Sequence, residues 1–125
     1  MGFVCPACAT KDALEISLFL ELPPDSRSDE ITVQLLRCRS CGFPGVSVYE
    51  ESRRGSLFEE AWDHQAYGLE EEEWRRLARL ISVCPNRRDP NCLCSGHLEL
   101  NRRDGHGAWL GLTGFRLGKP FGMVI

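Results

Sequence analysis

The chain has 125 residues, 42% of them hydrophobic and 26% charged, which bounds it to one domain or two very small ones and excludes a disordered composition. No apolar run reaches the ~18 residues of a membrane-spanning helix, and the start "MGFVCPACAT" has neither the basic nor the apolar region of a secretion signal. Pro6 stands where an N-myristoylation motif following Gly2 requires Ser or Thr.

The net charge of −3 conceals an asymmetry, with 15 acids and 6 bases in residues 1–73 but 3 acids and 9 bases in residues 74–125. The basic residues are 13 Arg and 2 Lys. Such usage suits anion or nucleic-acid recognition by the planar guanidinium, and a GC-rich coding bias produces the same skew without any function. The seven cysteines are an odd number. Without a secretion signal they argue against a disulfide framework and for a reducing, cytoplasmic compartment in which clustered thiols bind metal.

In chain order, "CPAC" (Cys5 to Cys8) precedes "ALEISLFLELP", where Ile16, Leu18, Leu20 and Leu22 alternate with Ser17, Phe19 and Glu21. This predicts a strand with one apolar face. "PPDSRSD" reads as a loop, "ITVQLLRC" as a second strand, and "GVSVYEE" (Gly45 to Glu51) as a third that follows "CRSCG". The period then changes. Ser56 with Glu59 forms a capping-box pattern, and Leu57, Phe58, Ala61 and Trp62 make a helical stripe ending near Gly68. A second helix is expected from about Glu70 to Val83, acidic at its start and basic later, with Trp74, Leu77, Ala78 and Ile81 on one face and Glu71–Arg75 and Glu72–Arg76 at i,i+4 spacing. "HLELNRR" and "GAWLGL" around "DGHG" predict a C-terminal hairpin turning at Asp104–Gly105.

Cys5-x2-Cys8 and Cys38-x2-Cys41 form two short knuckles separated by 29 residues. Four thiolates close a tetrahedral shell and leave no position for water, so the site is structural rather than catalytic. A redox pair is the alternative, but such a motif belongs at a strand-to-helix turn of a βαβ unit. "CPAC", strands, "CRSCG" and a further strand resemble the zinc-ribbon group over residues 3–50. That resemblance implies zinc on Cys5, Cys8, Cys38 and Cys41, and it implies no particular task.

"SVCPNRRDPNCLCSGH" places Cys84, Cys92, Cys94 and His97 within fourteen residues. They make a Cys3His set suited to a second zinc, which would order a loop too polar to order itself. Free thiols, a redox or catalytic pair at Cys94 and His97, and His106 as a replacement ligand are the alternatives. A hydrolytic or deaminase site is not suggested, because the His-x-x-x-His and H-x-E patterns are missing and "GHGAWLGLTG" lacks the ending of a phosphate loop.

The expectation is an α+β protein: a zinc ribbon over 1–52, then a helical pair, a second zinc knuckle and a C-terminal hairpin over 53–125, packed as one unit. The leading role is a non-catalytic protein-interaction or adaptor module with an unidentified protein partner and no membrane association. The first alternative is a nucleic-acid binder using Arg75, Arg76, Arg79, Arg87, Arg88, Arg102 and Arg103, with Trp109, Phe115 and Phe121 for stacking. The second is a Cys/His redox or hydrolytic enzyme.

Overall fold

The computed structural model describes residues 2–25, 30–52 and 61–124. One antiparallel sheet carries five strands in chain order, β1 (Leu14–Leu22), β2 (Glu30–Cys38), β3 (Pro44–Ser52), β4 (Ala61–Gly68) and β5 (Pro120–Phe121). Helices α1 (Glu71–Ser82) and α2 (Ser95–Leu100) lie between β4 and β5 in the chain. The α+β class expected from the sequence is the class observed. Among the described residues no helix is long and apolar enough to cross a membrane.

The strand alternation feeds two cores. Val33 sits opposite Leu20 and Val48, and Leu35 opposite Leu18 and Val46. These rows meet Leu77 and Ile81 of α1, with Leu100, Trp109 and Leu112, in the larger core. On the other side of the sheet a smaller core collects Leu14, Leu36 and Ala66 with the buried Cys5 and Cys38, closed over by Phe3, Phe43, Phe121 and Met123.

The single apolar face expected for β1 is broken. Its register shifts between Ile16 and Leu18, and one extra residue in a strand inverts which side each side chain faces. Leu18, Leu20 and Leu22 stay on the helix side. Leu14 moves into the smaller core, opposite Cys38, and Ile16 is left 41% exposed. The bulge lets one strand serve both cores.

The helix expected to end near Gly68 is replaced over residues 61–68 by β4, which pairs with β3 from Ser52↔Ala61 to Gly45↔Gly68. The helical signal rested on apolar spacing that also included Leu57 and Phe58. These two residues, like the Ser56–Glu59 capping box, lie outside the described residues. Over 61–68 a ladder of bonds to β3 outweighs the local period, as tertiary pairing commonly does for strands.

The later helix forms as expected. Glu71, Glu72 and Glu73 occupy its first turn and Arg79 its last, which suits the helix dipole. The Glu71–Arg75 pair forms at 3.3 Å, whereas Arg76 turns to Glu73 at 3.4 Å and to the Gly114 carbonyl at 3.1 Å.

The strand expected from His97 is helical instead. Cys94 caps α2, its sulfur accepting the His97 amide at 3.4 Å, and this thiol cap starts a turn where the alternation of "HLELN" suggested extension. Of the predicted hairpin, one bridge remains between Arg103 and Trp109. Its turn is held by the Asp104 carboxylate, which accepts the amides of His106 and Ala108 at 2.7 and 3.0 Å.

Candidate metal centres

The first cluster forms where the N-terminal loop meets the β2–β3 turn. Phe3 docks on the start of β1, its amide bonding the Leu14 carbonyl at 2.8 Å and its carbonyl accepting the Leu14 amide at 3.0 Å. This carries Cys5 and Cys8 over the end of β2. Cys38 is the last residue of β2. Cys41 follows in the turn, and Gly42 takes φ +82°, a left-handed conformation that glycine adopts without a Cβ clash. The reversal brings the Phe43 carbonyl to the Cys38 amide at 3.0 Å.

The four sulfurs of Cys5, Cys8, Cys38 and Cys41 lie within 4.8 Å of one another. Cys5 Sγ is 3.6 Å from Cys41 Sγ, and Cys8 Sγ is 3.7 Å from Cys38 Sγ. A tetrahedron with metal–sulfur bonds of about 2.3 Å has edges of about 3.8 Å, so the spacing is consistent with zinc. The knuckle amides aim at the sulfurs, Ala7 at Cys5 (3.4 Å) and both Ser40 and Cys41 at Cys38 (3.3 Å each). Such donors favour thiolates.

The thiols of this cluster are driven apart in acidity. The Thr10 hydroxyl and amide bring Cys8 down to about 6. Cys38 is lowered as well: burial opposes ionisation, but the Cys41 and Ser40 amides outweigh it. Burial raises Cys5. Cys41 rises to about 12, because burial and the three neighbouring thiols together outweigh the lowering effect of the Phe43 backbone, its largest single influence. Four sulfurs this close cannot all carry charge unless a cation neutralises them, and a bound divalent ion reverses that penalty.

Arg37 ties this cluster to α1. Its guanidinium bonds both carboxylate oxygens of Glu71 at 2.6 and 2.8 Å, reaches the Gly42 carbonyl at 3.0 Å, and lies 4.0 Å above the Trp74 ring. Trp74 in turn donates its indole N–H to the Leu36 carbonyl at 2.8 Å. The Arg37 guanidinium holds the Glu71 carboxyl at about 2, below its ordinary 4.5. A carboxyl depressed in the folded state stabilises fully above its unfolded value and loses that contribution as pH falls through the folded one. Glu71→Gln is therefore expected to lower the Tm slightly at pH 7, with the gap from the parent protein closing between pH 4.5 and about 2. A gap that stays constant over paired melting curves in this range would show that the ion pair contributes nothing.

The second cluster joins three separate elements. Cys84 lies just beyond α1, Cys92 and Cys94 lead into α2, and His97 sits in its first turn. The four donor atoms again fall within 4.8 Å. Cys84 Sγ is 3.7 Å from Cys92 Sγ, close to the tetrahedral edge. His97 Nδ1 is 3.2 Å from both Cys84 Sγ and Cys94 Sγ, tighter than the roughly 3.6 Å edge of a nitrogen–sulfur tetrahedron.

His97 is 1% exposed, and its Nε2 lies 2.8 Å from the Glu21 carbonyl. A carbonyl only accepts, so Nε2 carries the proton and Nδ1 turns its lone pair toward the sulfurs. A metal-binding histidine is oriented in the same way by an outer partner. Beside it, the Glu21 amide bonds the Arg87 carbonyl at 2.9 Å. The cluster is thus seated on the free edge of β1. Burial and the neighbouring thiols raise Cys84 to about 11, while Cys94, despite its burial, falls to about 6 beside the His97 amide and ring.

Gly96 makes this docking possible. A Cβ there would lie 2.0 Å from the Leu80 carbonyl oxygen of α1, so the two helices touch backbone to backbone. Gly96→Ala is expected to push α2 off α1, weaken metal retention at the second cluster and spare the first. Unchanged metal content and melting would mean that the contact does not hold the cluster.

His106 lies in an exposed turn outside the cluster, and His97 is the fourth donor. Five of the seven arginines singled out for nucleic acid make side-chain contacts within the chain. Arg75 pairs with Glu71, Arg102 with Glu99, and Arg103 with the Pro23 and Pro24 carbonyls and Asn101. Arg76 also lies 4.2 Å over Phe115, and Arg88 lies 5.5 Å over Phe19. The three aromatics are structural too: Trp109 is buried with its N–H on the Leu100 carbonyl, Phe115 packs on the larger core, and Phe121 meets Phe43 edge-on at 5.7 Å.

Sequence reasoning missed Thr10, the Glu21 carbonyl and Gly96. Only Gly96, a glycine between Cys94 and His97, left a trace in the sequence. Compared with protein-family models, curated proteins and solved structures, the chain matches none of them.

Proposed function

We propose that both clusters hold structural zinc, the first in a zinc-ribbon arrangement, and that the protein acts as a non-catalytic protein-interaction or adaptor module. The observation that carries this reading is the donor count. Four soft or borderline ligands converge at each centre, a shell with no place for water or substrate. Cobalt(II) substitution tests it: two tetrahedral thiolate sites, one of four sulfurs and one of three sulfurs and a nitrogen, would give intense ligand-field and charge-transfer bands. A spectrum of octahedral cobalt would contradict the reading.

The adaptor role is supported by what the second cluster displays. Val83, Leu93 and Leu98 each neighbour a ligand in the chain, and they are 57, 79 and 59% exposed. The four residues they adjoin have donor atoms within 4.8 Å of one another, so the three exposed apolar side chains stand around one site, where a partner covering them would bury apolar surface. The nucleic-acid reading is weakened by the internal ties of its arginines. Complexes recovered with the parent protein should survive raised salt and be lost in a Leu93→Ser, Leu98→Ser variant that keeps its metal. Steep loss of binding with salt would favour nucleic acid instead.

A further inference from the structure

We infer that the first cluster is an oxidative modification site, in which peroxide converts the four thiolates into two disulfides that cross between the knuckles, Cys5–Cys41 and Cys8–Cys38. The inference rests on the reading of this cluster as a zinc site.

The geometry assigns the roles. Each close pair joins one buried and one exposed sulfur. Cys5 and Cys38 are 1% and 2% exposed, while Cys8 and Cys41 are exposed. The buried sulfurs receive the Ala7, Ser40 and Cys41 amides, and their burial shields them from solvent. The exposed pair is open to a small oxidant. Peroxide-sensing cysteines have this form, an accessible thiolate beside a second cysteine that resolves it. Here the resolving sulfurs already stand in place, Cys38 at 3.7 Å from Cys8 and Cys5 at 3.6 Å from Cys41.

The steps balance with hydrogen peroxide as the oxidant. The Cys8 thiolate attacks one peroxide oxygen, the O–O bond breaks, and Cys8 sulfenic acid and hydroxide form. The Cys38 thiolate then attacks the Cys8 sulfur, the S–O bond breaks, hydroxide leaves, and the S–S bond forms. Cys41 and Cys5 repeat the sequence with a second peroxide. Each pair gives up two electrons, and each peroxide takes up two. The disulfides no longer supply thiolates, so the cluster gives up its cation without any change in the metal's oxidation state. Because both bonds run from the N-terminal loop to the β2–β3 turn, they keep tied what the thiolates had held together.

The second cluster is not built for the same chemistry. It has three thiols, so one is left over after any pairing. Cys84 is buried, Cys92 and Cys94 are half-buried, and the fourth donor is the buried His97.

The experiment uses the full zinc-loaded chain. Metal content is measured by native mass spectrometry before and after hydrogen peroxide, and the treated protein is mapped by non-reducing peptide mass spectrometry. Two zinc ions before treatment set the baseline, and fewer would sink the zinc reading itself. With that baseline met, peroxide is expected to remove one zinc at least ~10-fold faster than the other. The product should be four hydrogens lighter than the reduced chain and contain the Cys5–Cys41 and Cys8–Cys38 peptides. A thiol reductant with added zinc should restore the starting mass. Loss of the second cluster's metal first, bonds within a knuckle (Cys5–Cys8, Cys38–Cys41), or accumulation of sulfinic acid would each overturn the inference. Thr10→Val, which removes the hydroxyl 3.2 Å from Cys8 Sγ while leaving all four ligands, should speed the zinc release, because the zinc-held thiolate is already ionised and loses a hydrogen bond that draws down its nucleophilicity. An unchanged rate in that variant would overturn Cys8 as a point of attack.

Discussion

Cys38→Ser is expected to empty the first cluster and lower the Tm by about 10–20 °C, the shift that follows from losing roughly 3 kcal/mol in a domain of this size. The size of the effect comes from where Cys38 sits. It ends β2, is buried in the smaller core beside Leu14 and Leu36, and its sulfur takes two amides of the following turn. Serine is a poor zinc ligand, and its shorter hydroxyl leaves those amides short of a partner. Metal binding supplies folding energy in small domains, and the whole chain has only about 5–15 kcal/mol to lose. The N-terminal loop and the β2–β3 turn should then lose protection in hydrogen exchange, while α1 and the larger core keep theirs. A variant that retains its metal and melts with the parent protein would refute the role of Cys38 as a ligand.

His97→Ala is expected to cost about 3–5 kcal/mol and the metal of the second cluster. Three losses coincide. A buried ring leaves a cavity, the Glu21 carbonyl loses the N–H that lies 2.8 Å away, and Cys84, Cys92 and Cys94 lose their fourth partner. His97→Cys separates these contributions. It restores a four-thiolate set and should keep the metal, yet it cannot reach Glu21 and so should remain about 1 kcal/mol less stable than the parent. If His97→Cys and His97→Ala lose metal alike, then the imidazole does more than fill the fourth position. If neither loses metal, the cluster does not bind through His97.

Much of the first cluster was legible because its signal is local. Two C-x2-C knuckles on either side of alternating strands need only short turns to close, and Gly42 marks one of them. The eight donor residues come together in the two groups that their spacing suggested. What escaped was non-local. The β1 bulge reverses the side taken by Leu14 and Ile16 without altering the alternating pattern of residue types, so no reading of that pattern could place it. β4 carries a helical spacing in "AWDHQAYG", but the edge of β3 decides its conformation. In "HLELN" the alternation was real and misleading, because Cys94 caps a helix with the same sulfur that faces His97. Nor can a sequence announce that the carbonyl of Glu21, seventy-six residues before His97, orients its ring.

Two acids at the start of α1 have an equally structural explanation. Glu71 and Glu73 look like solvated charge at a helix start. The structure uses Glu71 to clamp Arg37 against Trp74, and uses Glu73, largely buried, to bind Arg76 and the Arg116 amide at 2.9 Å. Of the arginines counted from the sequence as available for phosphates, Arg76 is therefore partly framework.

The most direct test of the central claim is metal stoichiometry: native mass spectrometry of the purified chain, with elemental analysis to identify the ion, in parallel with the Cys38→Ser and His97→Ala variants. The account predicts two zinc ions per parent chain and one in each variant. A parent chain carrying no tightly bound zinc, or variants that each retain two, would contradict it.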